Sequence, residues 1–284
     1  MRNLLPPVRI HAWGGLGSQL FAVALAEEFA ASFPKRSLTI VLHTGGVTRR
    51  LPEVTELFPR FQYQFEEDFE SRKVSSAEAP QSPKYSIKGA AKNIIGSIGF
   101  LANCDDNNSI EKLRPWVCSI RGHYSYRVIN PNFLRQLGER ALTLSNIDLT
   151  EFKEDCALHY RLGDLLTLSE KNPIGANRLA SEYKLIKKQI PFRKLTVFSD
   201  SPSEVLGRLT PLVQDDVRVL DLSTTQVIAG AVCSRYFIGT SSKVSFWIAA
   251  IRSVVHRNRS ALPGENFNQY ARLMGNHIPL IDGY

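Results

Sequence analysis

Short apolar runs closed by glycine, serine or proline alternate along this chain with longer stretches whose apolar residues recur at helical spacing. Val8 to Trp13 reads as a strand and Gly14 to Ser18 as a tight loop. Gln19 to Phe33 reads as a helix in which Phe21, Leu25 and Phe29 recur at every fourth position. Ser37 to Leu42 gives the next strand and completes a β-α-β unit. The stretch from Glu66 to Asn93 breaks this rhythm: it is polar, carries Pro80 and Pro83, and lacks a sustained apolar period. It is expected to form a long excursion or lid.

The alternation is clearer in the second half. Cys156 to Tyr160, Lys194 to Phe198, Val217 to Leu220 and Arg235 to Ile238 read as strands, and Arg178 to Lys188, Pro202 to Leu209, Thr224 to Cys233 and Ser242 to Arg252 as helices. The expected fold is α/β with two Rossmann-like parallel-sheet domains, residues 1–150 and 151–284, facing each other across a cleft at the carboxyl ends of their strands. The boundary is expected between Asn130 and Glu154. The tail from Pro263 to Tyr284 is expected to pack back on the first domain.

The strand around His159 carries the most chemistry. Side chains alternate along a strand, so Ala157, His159 and Arg161 share one face while Leu158, Tyr160 and Leu162 share the other. The second face is core. A guanidinium at a strand end needs a partner, and its forked donors suit phosphate or carboxylate. Two readings follow for Arg161: a clamp on an anionic ligand, or a local ion pair with Asp164 across the Gly163 turn.

Three further segments place polar groups where such sheets bind ligands. Gly14-Gly15-Leu16-Gly17 before a helix can bring backbone N–H groups against a phosphate, or simply permit a sharp turn with Ser18 capping the helix. Asp200 closes the Val197-Phe198-Ser199-Asp200 strand end and can either accept from a guanine edge or cap the helix that begins at Pro202. Thr240-Ser241-Ser242-Lys243-Val244-Ser245 joins a strand to a helix with hydroxyls suited to a diphosphate, or to capping.

Composition narrows the class. At 284 residues, 43% hydrophobic and 22% charged, the chain is long enough for two cores and is neither disordered nor fibrous. A formal charge of +8 favours anionic partners; a nucleic-acid role would rest on that charge alone, since no basic-aromatic motif accompanies it. No run reaches the roughly 18 to 20 apolar residues of a spanning helix, and Met1 to Pro7 is too short for a signal peptide, so a cytoplasmic protein is expected. Cys104, Cys118, Cys156 and Cys233 are too dispersed for a structural zinc site and are expected to be reduced and mostly buried.

Taken in order, these segments resemble the α-1,2-fucosyltransferase family and its wider superfamily of α-1,6- and protein O-fucosyltransferases. Gly14-Gly15-Leu16-Gly17-Ser18-Gln19 is similar to that family's Gly-Gly-Leu-Gly-Asn-Gln loop, His159 to Asp164 to its His-x-Arg-Arg-Gly-Asp, Val197 to Asp200 to its Val-Phe-Ser-Asp, and Thr240 to Trp247 loosely to its Asn-Ser-Ser-Phe-Ser-Trp-Trp. Leu162 stands for the second arginine, Ser18 for the asparagine, and Lys243 and Val244 interrupt the hydroxyl motif.

The resemblance implies a GT-B fold and inverting transfer of a sugar, usually fucose, from a GDP-sugar to a glycan hydroxyl, with no cofactor and no required metal. It implies that Arg161 is the catalytic cation facing the departing β-phosphate. Gly15, Gly17, Ser18, Gln19, His159, Asp200, Ser241, Ser242 and Ser245 are implied to hold the donor. Asp164 is a candidate base or a group that orients Arg161; Glu27 and Glu28 are other base candidates. The expected partners are a GDP-sugar and an oligosaccharide or lipid-linked acceptor, with peripheral contact at the inner membrane face in surface-polysaccharide synthesis. Another GDP-hexose transferase, or a non-catalytic glycan- or nucleotide-binding relative, stands as the alternative.

Overall fold

The structure, a computed structural model, describes residues 7–45, 52–67, 100–103, 113–122, 124, 129–166, 173–213, 216–264 and 281–284. Most of the Glu66 to Asn93 excursion lies outside the described residues. The chain divides into two compact units, Met1–Arg127 and Val128–Tyr284, each built on a parallel sheet. The protein is α/β throughout.

In the first unit, β1 (Val8–Trp13) leads into α1 (Leu16–Ser32), followed by β2 (Leu38–His43), a single turn α2 (Val54–Leu57), β3 (Gln62–Glu66), β4 (Leu101–Asn103) and β5 (Ser119–Arg121). The sheet order is β3-β2-β1-β5-β4, all parallel. Val8, Ile10 and Ala12 are buried in the core, so Arg9, His11 and Trp13 take the opposite face of the central strand. Helix α1 starts three residues earlier than the sequence predicts: Gly15, not Ser18, is the N-cap, and Ser18 N donates to Gly15 O within the first turn. Gly14 has φ +90°, which an L side chain rarely adopts, and this reverses the chain between strand and helix. The helix buries nearly its whole circumference, including Leu20, Phe21, Val23, Leu25 and Phe29.

The second unit begins with α3 (Pro131–Leu144), capped by the Asn130 side chain, then β6 (Cys156–His159), α4 (Ala176–Gln189), β7 (Leu195–Phe198), α5 (Pro202–Arg208), α6 (Thr210–Val213), β8 (Val217–Leu220), α7 (Thr224–Cys233), β9 (Tyr236–Ile238) and α8 (Lys243–Ile251). A π-helical turn at Arg252–His256 leads to β10 (Ser260–Leu262), and β11 (Ile281–Gly283) ends the chain. Its sheet order is β11-β10-β9-β6-β7-β8. The chain therefore starts in the middle, fills one edge through β7 and β8, and returns through β9 to fill the other.

Two placements differ from the sequence reading. Helix α3 falls inside the expected residues 1–150 but belongs to the second unit, where Gly138 lets it approach Ile251 of α8; a Cβ there would lie 2.8 Å from Ile251 Cγ2. The end of the tail joins the second unit: β11 pairs with β10 as an edge strand of the second sheet.

Arg252 holds this unit together where the π turn leaves α8. It is fully buried, and its guanidinium donates to the carbonyls of Ala231, Val232, Ser234, Arg235 and Arg259 and to the hydroxyls of Ser234 and Ser260. Carbonyl dipoles compensate its charge, and burial lowers its pKa only to about 10, so it stays a cation.

Candidate functional site

Strand β6 and strand β9 are neighbours at the point where the second sheet reverses its order, so their carboxyl ends splay apart in opposite crossovers. His159 is the last residue of β6, and Gly239 to Ser245 joins β9 to α8. The predicted alternation holds: Leu158, Tyr160 and Leu162 lie in the buried core, while His159 and Arg161 are only partly buried. Leu162 is a core position in this chain, which accounts for an apolar side chain where the resemblance has arginine.

The two strand ends are tied by hydroxyls. Ser245 Oγ lies 2.8 Å from His159 Nδ1 and accepts from Thr240 N at 3.0 Å, and Thr240 Oγ1 donates to the His159 carbonyl at 3.0 Å. Ser245 Oγ can donate its proton to Nδ1, the arrangement that puts the ring proton on Nε2, and keeps a second lone pair for Nδ1–H in the other tautomer. The His159 pKa is lowered to about 4, first by burial and then by the Arg161 charge, with Asp200 opposing. At neutral pH the ring is therefore an uncharged N–H donor beside a cation.

Gly239 makes the contact possible, because a Cβ there would meet Leu262 Cδ2 at 2.5 Å and Ser245 Cβ at 2.7 Å. Tyr284 Oη donates to the Gly239 carbonyl at 2.7 Å, so the last residue of the chain braces the same loop.

Asp200 follows β7 and does not cap α5, whose N-cap is Ser201. Its Oδ1 accepts from the backbone N–H groups of Leu162 and Gly163 at 3.1 and 2.9 Å. A Cβ on Gly163 would fall 2.2 Å from Asp200 Oδ2, so the carboxylate sits where only glycine admits it. Asp200 thus fixes the turn that carries Arg161.

The remaining expected donor residues divide by burial. Ser242 is buried and caps α8, accepting from Val244 N at 3.2 Å, while Ser241 is exposed. In the first unit, Gly15 caps α1, Gly17 and Gln19 are buried, Ser18 is half-buried, and Gln19 Nε2 donates to Gly14 O at 3.1 Å. Asp164 lies in a short 3-10 turn, Gly163–Leu165. Glu27 pairs with Arg60, and Glu28 is exposed. Of the cysteines, Cys118, Cys156 and Cys233 are free thiols, and burial raises the pKa of Cys156 and Cys233. Among the described residues, no helix is long and apolar enough to cross a membrane.

No protein-family model matches the chain, and no curated protein matches it in sequence. Among solved structures it is similar to POFUT1 in complex with GDP-fucose, with a TM-score of 0.49 and 11% identity over 92% of this chain and 99% of that one. It is similar also to the NodZ α-1,6-fucosyltransferase soaked with GDP-fucose, with a TM-score of 0.45 and 14% identity over 87% and 92%. A glycosyl transferase family 9 protein from Veillonella parvula gives a TM-score of 0.43 and 13% identity over 92% and 83%. At such identity the likeness says nothing of substrate.

The site also contains what the sequence does not foretell: the Ser245 to His159 link joins residues 86 positions apart. In the first unit, His11, His43 and Glu66 come together from three strands. The signal for both was a polar residue at or near a strand end, but only the strand order shows which ends are adjacent.

Proposed function

We propose that the chain is an inverting GT-B glycosyltransferase that moves a sugar, fucose by the likeness of its motifs, from a GDP-sugar to a glycan hydroxyl. The observation that carries this reading is the pairing of a neutral imidazole, His159, with the Arg161 cation at the reversal of the second sheet. The acceptor hydroxyl oxygen attacks the sugar C1 while the C1–O bond to the β-phosphate breaks, the bonding pair leaves on that phosphate, and the hydroxyl proton passes to Asp164 or to solvent late in the step. Arg161 meets the new charge and His159 donates to the diphosphate, which supplies leaving-group stabilisation from the protein's own side chains. Asp200 keeps the Arg161 turn in place through Oδ1, and its remaining acceptor sites face guanine. Ser241 serves as an outer hydroxyl, and Ser242 and Ser245 act through the loop they hold.

The net charge of +8 supports a cytoplasmic enzyme working at an anionic inner membrane face on a lipid-linked acceptor. Calorimetry with GDP, UDP and GDP-fucose tests the donor. Binding of GDP that survives EDTA, with UDP weaker, is expected; absence of any nucleotide binding refutes the reading. Arg161→Ala should leave a folded protein whose turnover falls by about 100-fold or more, and unchanged turnover would remove Arg161 from the chemistry. Nucleotide binding without turnover on any acceptor would favour the non-catalytic relative.

A further inference from the structure

Strands β1, β2 and β3 lie side by side, and three ligating side chains stand at their carboxyl ends. His43 closes β2 opposite Glu66, which closes β3, and Trp13 of β1 pairs with His43 in register. His11 lies two residues before Trp13 and therefore on the same face. His11 and His43 are 2% and 3% exposed, and their Nδ1 and Nε2 atoms lie 2.9 Å apart. The His43 Nδ1 atom lies 3.9 Å from Glu66 Oε2, and one donor atom from each of the three residues falls within 4.8 Å of the others. It is the sole such group of three among the described residues.

The rings are held from several sides. Trp13 stacks on His43 at 4.4 Å and 10°, and His11 stacks on both. Tyr124 Oη donates to the carbonyls of His11 and Ile120 at 2.6 and 2.9 Å, which fixes the backbone under His11. Arg9 pairs with Glu66 through Oε1, orienting the carboxylate while Oε2 faces His43. The Glu66 side chain is 28% exposed, so the carboxylate is the member of the cluster that reaches water.

We propose that His11, His43 and Glu66 form a site for a divalent first-row transition ion, zinc foremost, with a fourth position open to water or a substrate oxygen. Two imidazoles and a carboxylate are the donor set zinc accepts where it keeps an open position, whereas magnesium and calcium prefer oxygen alone. Donors on a zinc tetrahedron stand about 3.3 Å apart, since each lies about 2.0 Å from the ion. With one donor atom from each residue the spacings reach up to 4.8 Å, so closing to that figure takes shifts of up to about 1.5 Å shared among side chains. Neutral rings offer Nδ1 of His11 and Nε2 of His43 once each carries its proton on the other nitrogen. For His43 that nitrogen faces Glu66 Oε2 at 3.9 Å, so the carboxylate must swing from the Nδ1 side to the Nε2 side of the ring to join the ion. The carboxylate charge that Arg9 now balances is then shared with the ion, and Arg9, 40% exposed, can remain solvated. The site does not depend on the transferase reading.

The test uses the untagged full chain, stripped with chelator. Isothermal titration with Zn²⁺ should give one equivalent bound with Kd below about 10 μM, and Co²⁺ should give the visible bands of a tetrahedral ion. Zn²⁺ should also raise the unfolding midpoint. Both His43→Ala and Glu66→Gln should weaken binding by about tenfold or more, while His256→Ala, outside the cluster, should not. Glu66→Gln leaves the core intact and decides the matter if His43→Ala does not fold. Failure of the wild-type chain to bind at that affinity overturns the site, as does binding that Glu66→Gln leaves unchanged.

Discussion

Acidification should destabilise the second unit through His159, and the size of the loss follows from the site. Protonating the ring puts a hydrogen on both nitrogens, Nδ1 lying 2.8 Å from Ser245 Oγ, and sets a second charge beside Arg161 in a partly buried setting. The pKa in the folded chain is lowered from 6.5 to about 4. Between those values the unfolded chain binds a proton that the folded chain does not, so stability rises with pH across the window. The contribution is complete above pH 6.5 and is lost as pH falls through about 4. The difference corresponds to about 3 kcal/mol at 1.36 kcal/mol per unit. Urea unfolding of wild type and His159→Gln across this window measures it; glutamine keeps an acceptor for Ser245 without a titrating ring. His256 also has a lowered pKa, by burial and then by Arg252, so both proteins share its slope and their difference isolates His159. Identical pH profiles would refute the reasoning, as would an NMR titration of the His159 ring with a midpoint near 6.5.

Gly163→Ala should cost about 1 to 2 kcal/mol in urea unfolding, because its Cβ displaces the Asp200 carboxylate from the Leu162 and Gly163 N–H groups. The cost should shrink in an Asp200→Ala background, and additive costs would show that the clash lies elsewhere. Arg252→Met should cost about 3 to 5 kcal/mol by leaving buried carbonyls without a donor. Thermal unfolding within a degree of wild type would contradict that role.

The second unit was largely legible in the sequence because its strands are short, buried runs and its helices carry start signals. Pro202 opens α5, and Ser223 and Gln226 form a reciprocal capping box on α7. The first unit was legible only through β2. Strand β3, Gln-Tyr-Gln-Phe-Glu, is an edge strand with three exposed positions, and β4 and β5 are three residues each, too short for a period to show. Helix α3 has a clear apolar stripe through Phe133, Leu134, Leu137 and Ala141, but a stripe does not say which core receives it. The His159 face could be read from alternation alone. The roles of Ser245 and Asp200 could not, because each depends on which strand ends adjoin β6.

That adjacency also determines what kind of site His159 can make. A histidine at an exposed strand end would titrate near neutrality and exchange its role with pH. Here the Ser245 hydroxyl fixes the ring's orientation through Nδ1, burial and Arg161 oppose a second proton, and Asp200, which would favour one, is held by two backbone N–H groups. Charging the ring at pH 7 would require raising its pKa by about three units, about 4 kcal/mol. The fixed charge is therefore left to Arg161, and the ring supplies a directed N–H that does not change across the neutral range. A diphosphate needs both: a cation for the charge that develops and a neutral donor whose geometry is set before the ligand arrives.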